Sequence, residues 1–279
     1  MFLEIIKFII YSALIVLISK YILVTTLRKL AESLKLKPKT VGNIAGYATS
    51  IPELLTITTS SLRGLSGASV YNIISSNVIN FIQYIGAILL NKNVDKIKNR
   101  AIITDIILVI FTILIPIVLL KMNIELNIMI VPIFVILYIL FRVINDNVHK
   151  MCLKNEDEKI EHEIEVEEEK ESKNRFQTIK YIIYLVITGF LLYFVGDKLG
   201  NTLETLCKLF NISEAIIGIL LGFITSIPEL MTFFESQKHY KNEDDDMLGV
   251  VEATNNLLTS NILNLFAIQT IGILITSIL

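Results

Sequence analysis

An eleven-residue phrase occurs twice in this 279-residue chain, about 176 residues apart. Gly46-Tyr47-Ala48-Thr49-Ser50-Ile51-Pro52-Glu53-Leu54-Leu55-Thr56 returns as Gly222-Phe223-Ile224-Thr225-Ser226-Ile227-Pro228-Glu229-Leu230-Met231-Thr232, identical at eight of eleven positions. Both copies lie inside apolar segments. Each puts a carboxylate and a proline where a membrane helix should carry neither. An ionisable group there is costly and faces a partner, a cavity or an ion. Two copies at corresponding places in two halves point to a transporter built from repeats.

The surrounding composition supports a membrane setting. Hydrophobic residues make up 53% and charged residues 19%, against about a quarter charged in soluble domains. Mean hydropathy is +0.64. Several runs reach the roughly 20 apolar residues that a spanning helix needs, and none alternates as barrel strands would. The expected fold is therefore all-α and polytopic. Eight segments are predicted: 3–27, 41–62, 67–91, 101–121, 126–145, 177–199, 213–236 and 247–278. The first has no small-residue cleavage site after it and reads as a retained helix.

Lysine and arginine cluster in alternate connections: Arg28, Lys29, Lys35, Lys37 and Lys39, then Lys92, Lys96, Lys98 and Arg100. The positive-inside rule puts these in the cytoplasm, with both termini outside and the 146–176 connection inside. The expected organisation is a first half, 1–145, with one repeat at about 39–91. An acidic cytoplasmic linker, 146–176, follows. The second half, 177–279, carries the other repeat at about 213–278. The linker holds ten acids in the sixteen residues from Glu156 to Glu171. It lacks the alternating ligands and glycine of a calcium-binding hand loop, so it reads as a solvated spacer. The phrases fall in segments two and seven and cross in opposite directions, an inverted-topology repeat.

Proline removes a helical hydrogen bond, so Pro52 and Pro228 are expected to free the Ala48 and Ile224 carbonyls. Thr49 and Glu53, like Thr225 and Glu229, are four apart and share a helix face; Ser50 and Ser226 add hydroxyls. A second element follows each phrase: Asn72-Ile73-Ile74-Ser75-Ser76-Asn77-Val78-Ile79-Asn80 matches Asn256-Leu257-Leu258-Thr259-Ser260-Asn261-Ile262-Leu263-Asn264, and all four identities are polar. Ser76 and Asn80 share a face, as do Ser260 and Asn264. Carboxylates, hydroxyls, amide oxygens and carbonyls together suit hard cations such as Ca²⁺ and Na⁺. Serine, threonine and asparagine can also simply join helices, and both readings stay open for Asn72, Asn77, Asn256 and Asn261. Asp105 and Glu252 stand nearer segment ends and are expected at the interface. His149, His162 and His239 fall in polar connections and are expected in solvent. Cys152 and Cys207 are predicted on opposite sides of the membrane, with no disulfide and no metal pattern.

These motifs closely resemble the sodium/calcium exchanger branch of the cation/calcium exchanger superfamily, in its prokaryotic type. Its repeats carry Gly-x-x-Thr-Ser-x-Pro-Glu/Asp followed by Gly-Ser-Asn-x-x-Asn. Both copies match the first part; in the second, Ser75 and Thr259 replace glycine. The Gly-Asn-x-x-Glu phrase of proton-coupled relatives is absent. The resemblance implies that Thr49, Glu53, Thr225 and Glu229 hold Ca²⁺. It implies that Ser50, Ser76, Ser226 and Ser260, with carbonyls near Gly46 and Gly222, help form flanking Na⁺ sites, and that Asn80 and Asn264 line the centre. Some relatives, including the potassium-dependent ones, carry aspartate where Asn264 stands. The family has ten helices; here the second half is expected to be shortened by two. The implied activity is Ca²⁺/Na⁺ antiport in the plasma membrane. The protein would be no enzyme, with no cofactor beyond the transported ions and no nucleic-acid partner, and compatible with an oligomer. A Ca²⁺/H⁺ exchanger and a non-transporting partner subunit are the alternatives.

Overall fold

The computed structural model describes residues 2–34, 36–122, 124, 126–152, 175–211, 213–241 and 246–278. The acidic run 156–171, His162 and the side chain of Cys207 lie outside the described residues. Those described form helices and no strand.

The first span is α1 (Phe2–Ile18), a π turn (Ser19–Val24) and α2 (Thr25–Ser33). The second is broken: α3 (Pro38–Thr49) and α4 (Ile51–Leu62) meet at Ser50. Then come α5 (Ser66–Leu90), α6 (Arg100–Lys121), α7 (Val131–Cys152) and α8 (Arg175–Phe210). The seventh span is broken as the second is, with α9 (Glu214–Thr225) and α10 (Ile227–Lys241) meeting at Ser226. The last runs from α11 (Asp246–Ile262) through a π turn (Leu263–Ile268) to α12 (Gln269–Ile278). Seven of these units, the divided α9–α10 among them, are long and apolar enough to cross a bilayer; α3–α4, divided at Ser50, makes the eighth helical unit. The architecture is an inverted-repeat bundle.

Local chemistry sets the joints. Pro38 opens α3 at its first turn, where its missing N–H costs nothing, with Lys37 extended before it. Pro52 and Pro228 likewise occupy first-turn positions of α4 and α10. Each long helix therefore restarts rather than bends. The α4–α5 turn needs Gly64, at φ +73°, where a side chain would be strained. Asn211 ends α8 in the left-handed conformation, φ 48°, a position that asparagine tolerates best after glycine.

Two apolar clusters hold the bundle. The larger draws on α4 to α7 and α10 to α12, with Tyr84, Phe134, Phe233 and Phe266 among its buried rings. The smaller joins α1 and α2 to α8 through Ile15, Leu23, Leu27, Leu192, Leu199 and Leu203, and meets the core at Ala48, Ile217 and Leu221. The first span and α8 thus form a peripheral pair packed mainly on each other.

Several expectations at segment ends are corrected. Residues 146–152 continue α7, and 200–210 continue α8, instead of forming connections. Glu252 and Asp105 are buried, not interfacial. Glu252 lies inside α11 and meets Arg28; Asp105, on α6, accepts 2.7 Å and 2.8 Å hydrogen bonds from His149 Nε2 and Asn145 Nδ2. His149 is therefore buried on α7, because the helix extends one turn past the apolar run and turns it inward. His239 lies half-buried on α10. Truncating His149 to alanine leaves the buried Asp105 with one side-chain partner among the described residues, Asn145. Leaving a buried polar group short of a partner costs about 1–3 kcal/mol, so His149→Ala should lower the thermal midpoint in detergent by a few degrees.

Candidate functional site

The two breaks bring the repeated phrases together in a crossed arrangement. α3 lies along α11 and α9 along α5, so each half's phrase packs on the other half's asparagine-rich helix. Glycine makes this possible. A Cβ on Gly46 would stand 2.7 Å from Thr259 Cβ and 2.8 Å from the Asn256 carbonyl oxygen. One on Gly222 would stand 2.7 Å from the Asn72 carbonyl oxygen and 2.8 Å from the Ser76 amide nitrogen. Gly42 and Gly218, one turn earlier, meet Glu252 and Ala68 backbone in the same way. Each phrase thus extends back to a Gly-x-x-x-Gly stripe, Gly42/Gly46 and Gly218/Gly222, which lets helix backbones approach. The backbone cannot yield as a side-chain tip can, so Gly46→Ala and Gly222→Ala should each cost about 1–3 kcal/mol. Gly86, on α5 with nothing within 4 Å of a built Cβ, is the control. Gly86→Ala should be neutral or stabilising by up to about 1 kcal/mol. Thermal midpoints of the three variants compare them directly.

At the breaks, Ser50 N–H reaches the Gly46 carbonyl at 3.3 Å and Ser226 N–H reaches that of Gly222 at 3.2 Å. The serine hydroxyls fold onto the same carbonyls, at 2.9 Å and 2.7 Å. Pro52 and Pro228 have no N–H to offer the Ala48 and Ile224 carbonyls one turn back, and the Ser50 and Ser226 N–H groups bond the glycine carbonyls instead. The carbonyls crowded by hydroxyls are those of the glycines.

Glu53 and Glu229 are fully buried and within electrostatic reach of each other. Ser76 Oγ donates to Glu53 Oε1 at 3.3 Å, and Ser260 Oγ to Glu229 Oε1 at 3.0 Å. Thr225 stands beside Glu53 and Thr49 beside Glu229. Ser50 Oγ lies 3.0 Å from Ser260 Oγ, and Ser76 Oγ lies 3.4 Å from Thr225 Oγ1. Among the described residues, neither glutamate has a basic partner. The central asparagines close on each other: Asn77 Nδ2 donates to the Asn261 carbonyl at 3.2 Å, and Asn261 Nδ2 to the Asn77 carbonyl at 3.1 Å. Asn80 Nδ2 donates to Asn261 Oδ1 at 3.2 Å and Asn264 Nδ2 to Asn77 Oδ1 at 3.3 Å. Outside this layer, Asn72 Nδ2 donates to Thr56 Oγ1 at 2.8 Å and Asn256 Nδ2 to Thr232 Oγ1. Asn72, Asn77, Asn256 and Asn261 thus do join helices.

Among the described residues, the second carboxylate oxygens, Glu53 Oε2 and Glu229 Oε2, have no hydrogen-bond partner, and neither do Asn80 Oδ1 and Asn264 Oδ1. All four are acceptors. Leaving buried polar atoms unpaired costs about 1–3 kcal/mol each and more for charges. A set of unpaired acceptors, two of them anionic, is a place for a cation. All ten predicted residues are buried. Nine join this hydrogen-bonded layer, while the Ser226 hydroxyl is spent on the Gly222 carbonyl.

Arg142 was not foreseen as part of this region. From α7 it donates to Thr259 Oγ1 at 3.0 Å, Asn43 Oδ1 at 3.3 Å and the Tyr47 hydroxyl at 2.6 Å. It clamps the α3–α11 joint where Thr259 takes the place of a motif glycine. An arginine close to the end of the apolar run 128–144 was the available signal.

A model of the family described as sodium/calcium exchanger protein matches residues 5–145 and 180–279. No curated protein sequence matches the chain. Solved structures of the sodium-calcium exchanger NCX_Mj share the fold. One soaked with 100 mM Na⁺ and 10 mM Sr²⁺ has a TM-score of 0.58 at 19% identity, covering 99% of this chain and 83% of that one. Another, soaked with 2.5 mM Na⁺ and 0.1 mM Ca²⁺, has a TM-score of 0.56 at 20% identity, covering 98% and 82%.

Proposed function

We propose that this chain, which belongs to the sodium/calcium exchanger family, is a secondary active antiporter that exchanges Ca²⁺ for Na⁺ by alternating access. One observation carries the reading most: four buried acceptor oxygens without donors, on Glu53, Glu229, Asn80 and Asn264. Two carboxylates balance one Ca²⁺ or two Na⁺, so the ions compete for the same charge. Thr49, Glu53, Thr225 and Glu229 are assigned to Ca²⁺. Ser50, Ser76, Ser226 and Ser260, with the Gly46 and Gly222 carbonyls, are assigned to flanking Na⁺. Asn80 and Asn264 line the centre. The near-equivalence of the halves supports a site that either face can reach in turn.

Ca²⁺ uptake into Na⁺-loaded proteoliposomes tests this. Uptake should appear with an outward Na⁺ gradient and vanish without one. Uptake driven by a pH gradient alone would instead establish proton coupling, with Glu53 and Glu229 as the proton carriers.

We further propose the plasma membrane as the location, and on the lysine and arginine bias both termini lie outside. With Cys152 and Cys207 replaced, a cysteine at the exposed Met151 should be protected from an impermeant thiol reagent in intact cells. One at Asn211 should label. The reverse pattern refutes this orientation.

A further inference from the structure

The peripheral pair, α1–α2 and α8, meets the core through apolar packing that lipid could replace at little cost. Each member is also tied to the core by charges, at opposite ends of the bundle. Arg28 of α2 grips Glu252 of α11 with two parallel bonds, Nη1 to Oε2 at 2.9 Å and Nη2 to Oε1 at 2.7 Å. Ser236 of α10 donates to the same Oε1 at 2.6 Å. At the other end, Arg63 after α4 reaches α8. Its Nη2 donates to Asp197 Oδ1 at 3.1 Å and Asn201 Oδ1 at 2.7 Å, and its Nε lies 3.4 Å from Glu204 Oε2.

From this geometry we infer that the Arg28–Glu252 pair is a latch that shuts the passage between the ion site and the membrane face where α2 ends. The Arg63 cluster is its weaker counterpart at the opposite face. Glu252 stands one turn before Asn256 on α11, and Asn256 donates to Thr232 of α10. The pair itself lines a cavity of ≈ 20 Å³, together with Leu27, Ala45, Thr232 and Glu235. That is room for about one water. At the far end a cavity of ≈ 580 Å³ opens between α5, α6 and α12, lined by Gly67, Tyr71, Asn127 and Thr276.

The two ties differ in strength for a physical reason. The Glu252 side chain is 2% exposed and that of Arg28 is 18%, and a bidentate, desolvated pair is hard to break. In the Arg63 cluster Asp197 is 41% exposed and Glu204 is 32%, so water and salt screen it. The π turn Ser19–Val24 precedes Arg28 by one turn, where the helix register can adjust when the latch releases. The role in exchange rests on the antiport reading, but accessibility can be measured without any flux, so the two ideas fail separately.

The test uses the full chain in proteoliposomes, with Cys152 and Cys207 replaced and a reporter cysteine at Ala45. An impermeant thiol reagent is applied from each face in turn. The parent should label slowly from the Arg28 face. Arg28→Gln and Glu252→Gln should each speed that labelling at least roughly tenfold. The reversed pair, R28E with E252R, should restore protection, and Arg63→Gln should not speed it. Glu252→Gln keeps the side-chain shape and carries the test if Arg28→Gln fails to insert. Parent-like labelling in Glu252→Gln overturns the latch. So does equal acceleration by Arg63→Gln, which would show general loosening.

Discussion

Glu53→Gln and Glu229→Gln should each abolish Na⁺-driven Ca²⁺ uptake while leaving an inserted, folded protein. Glutamine matches glutamate in size, so the Ser76 and Ser260 hydroxyls keep an oxygen to donate to at 3.3 Å and 3.0 Å. What disappears is one of two negative charges in a site where, among the described residues, no basic group is bonded to either carboxylate. Breaking one side of a buried charge pair costs roughly 3–5 kcal/mol, or roughly a hundredfold to several thousandfold in Ca²⁺ affinity. Equilibrium Ca²⁺ binding in detergent reads this directly, beside flux in vesicles. The crossed geometry adds a second expectation. Each glutamate is held by a serine four positions before an asparagine whose own oxygen is free, so the two variants should lose affinity to within about tenfold of each other. Near-normal binding in either variant sinks the shared site; a large loss in one alone makes the site one-sided.

The site's membership was legible because its two copies are written with little else in common around them. An isolated Thr-Ser-x-Pro-Glu in an apolar run would be ambiguous; its return in an oppositely directed segment is not. Proline marked the places where the two segments, read as continuous, turn out to restart, since it tells where an N–H is missing whatever surrounds it. The contacts made from outside the repeats were not legible. Asp105 meets His149 and Asn145, and Arg142 meets Thr259, across different helices. Which faces oppose depends on packing angles that no periodicity encodes. Asp105 and Glu252 looked interfacial because distance to a segment end says nothing about a partner reaching in from another helix. The glycine stripe lay in plain view, since Gly42 precedes Gly46 by four and Gly218 precedes Gly222 by four. Reading each phrase one turn further back would have found the helix crossing that brings the halves together.

Restoring a carboxylate at the centre should change which ions the site accepts. Asn264 donates from Nδ2 to Asn77 Oδ1 at 3.3 Å, while its own Oδ1 has no partner. Asn77 cannot turn to offer a proton instead, because its Nδ2 is committed to the Asn261 carbonyl at 3.2 Å. In Asn264→Asp an ionised carboxylate would therefore face a second acceptor and add a third negative charge beside Glu53 and Glu229. Like charges in a poorly solvated site repel by several kcal/mol at an effective dielectric of about 20. The new group can stay only if it carries a proton or draws in a further monovalent cation. Wild-type Ca²⁺ flux should need no K⁺ and vary little with K⁺ concentration. The variant's flux should depend on K⁺ or on pH, with acid conditions bringing it closest to wild type, because a protonated carboxyl donates to Asn77 as the amide does. Na⁺-driven Ca²⁺ flux measured with and without K⁺ across neutral to alkaline pH separates the outcomes. If wild-type flux vanishes without K⁺, or if the substitution leaves both dependences unchanged, position 264 does not set the charge that the transported ions must balance.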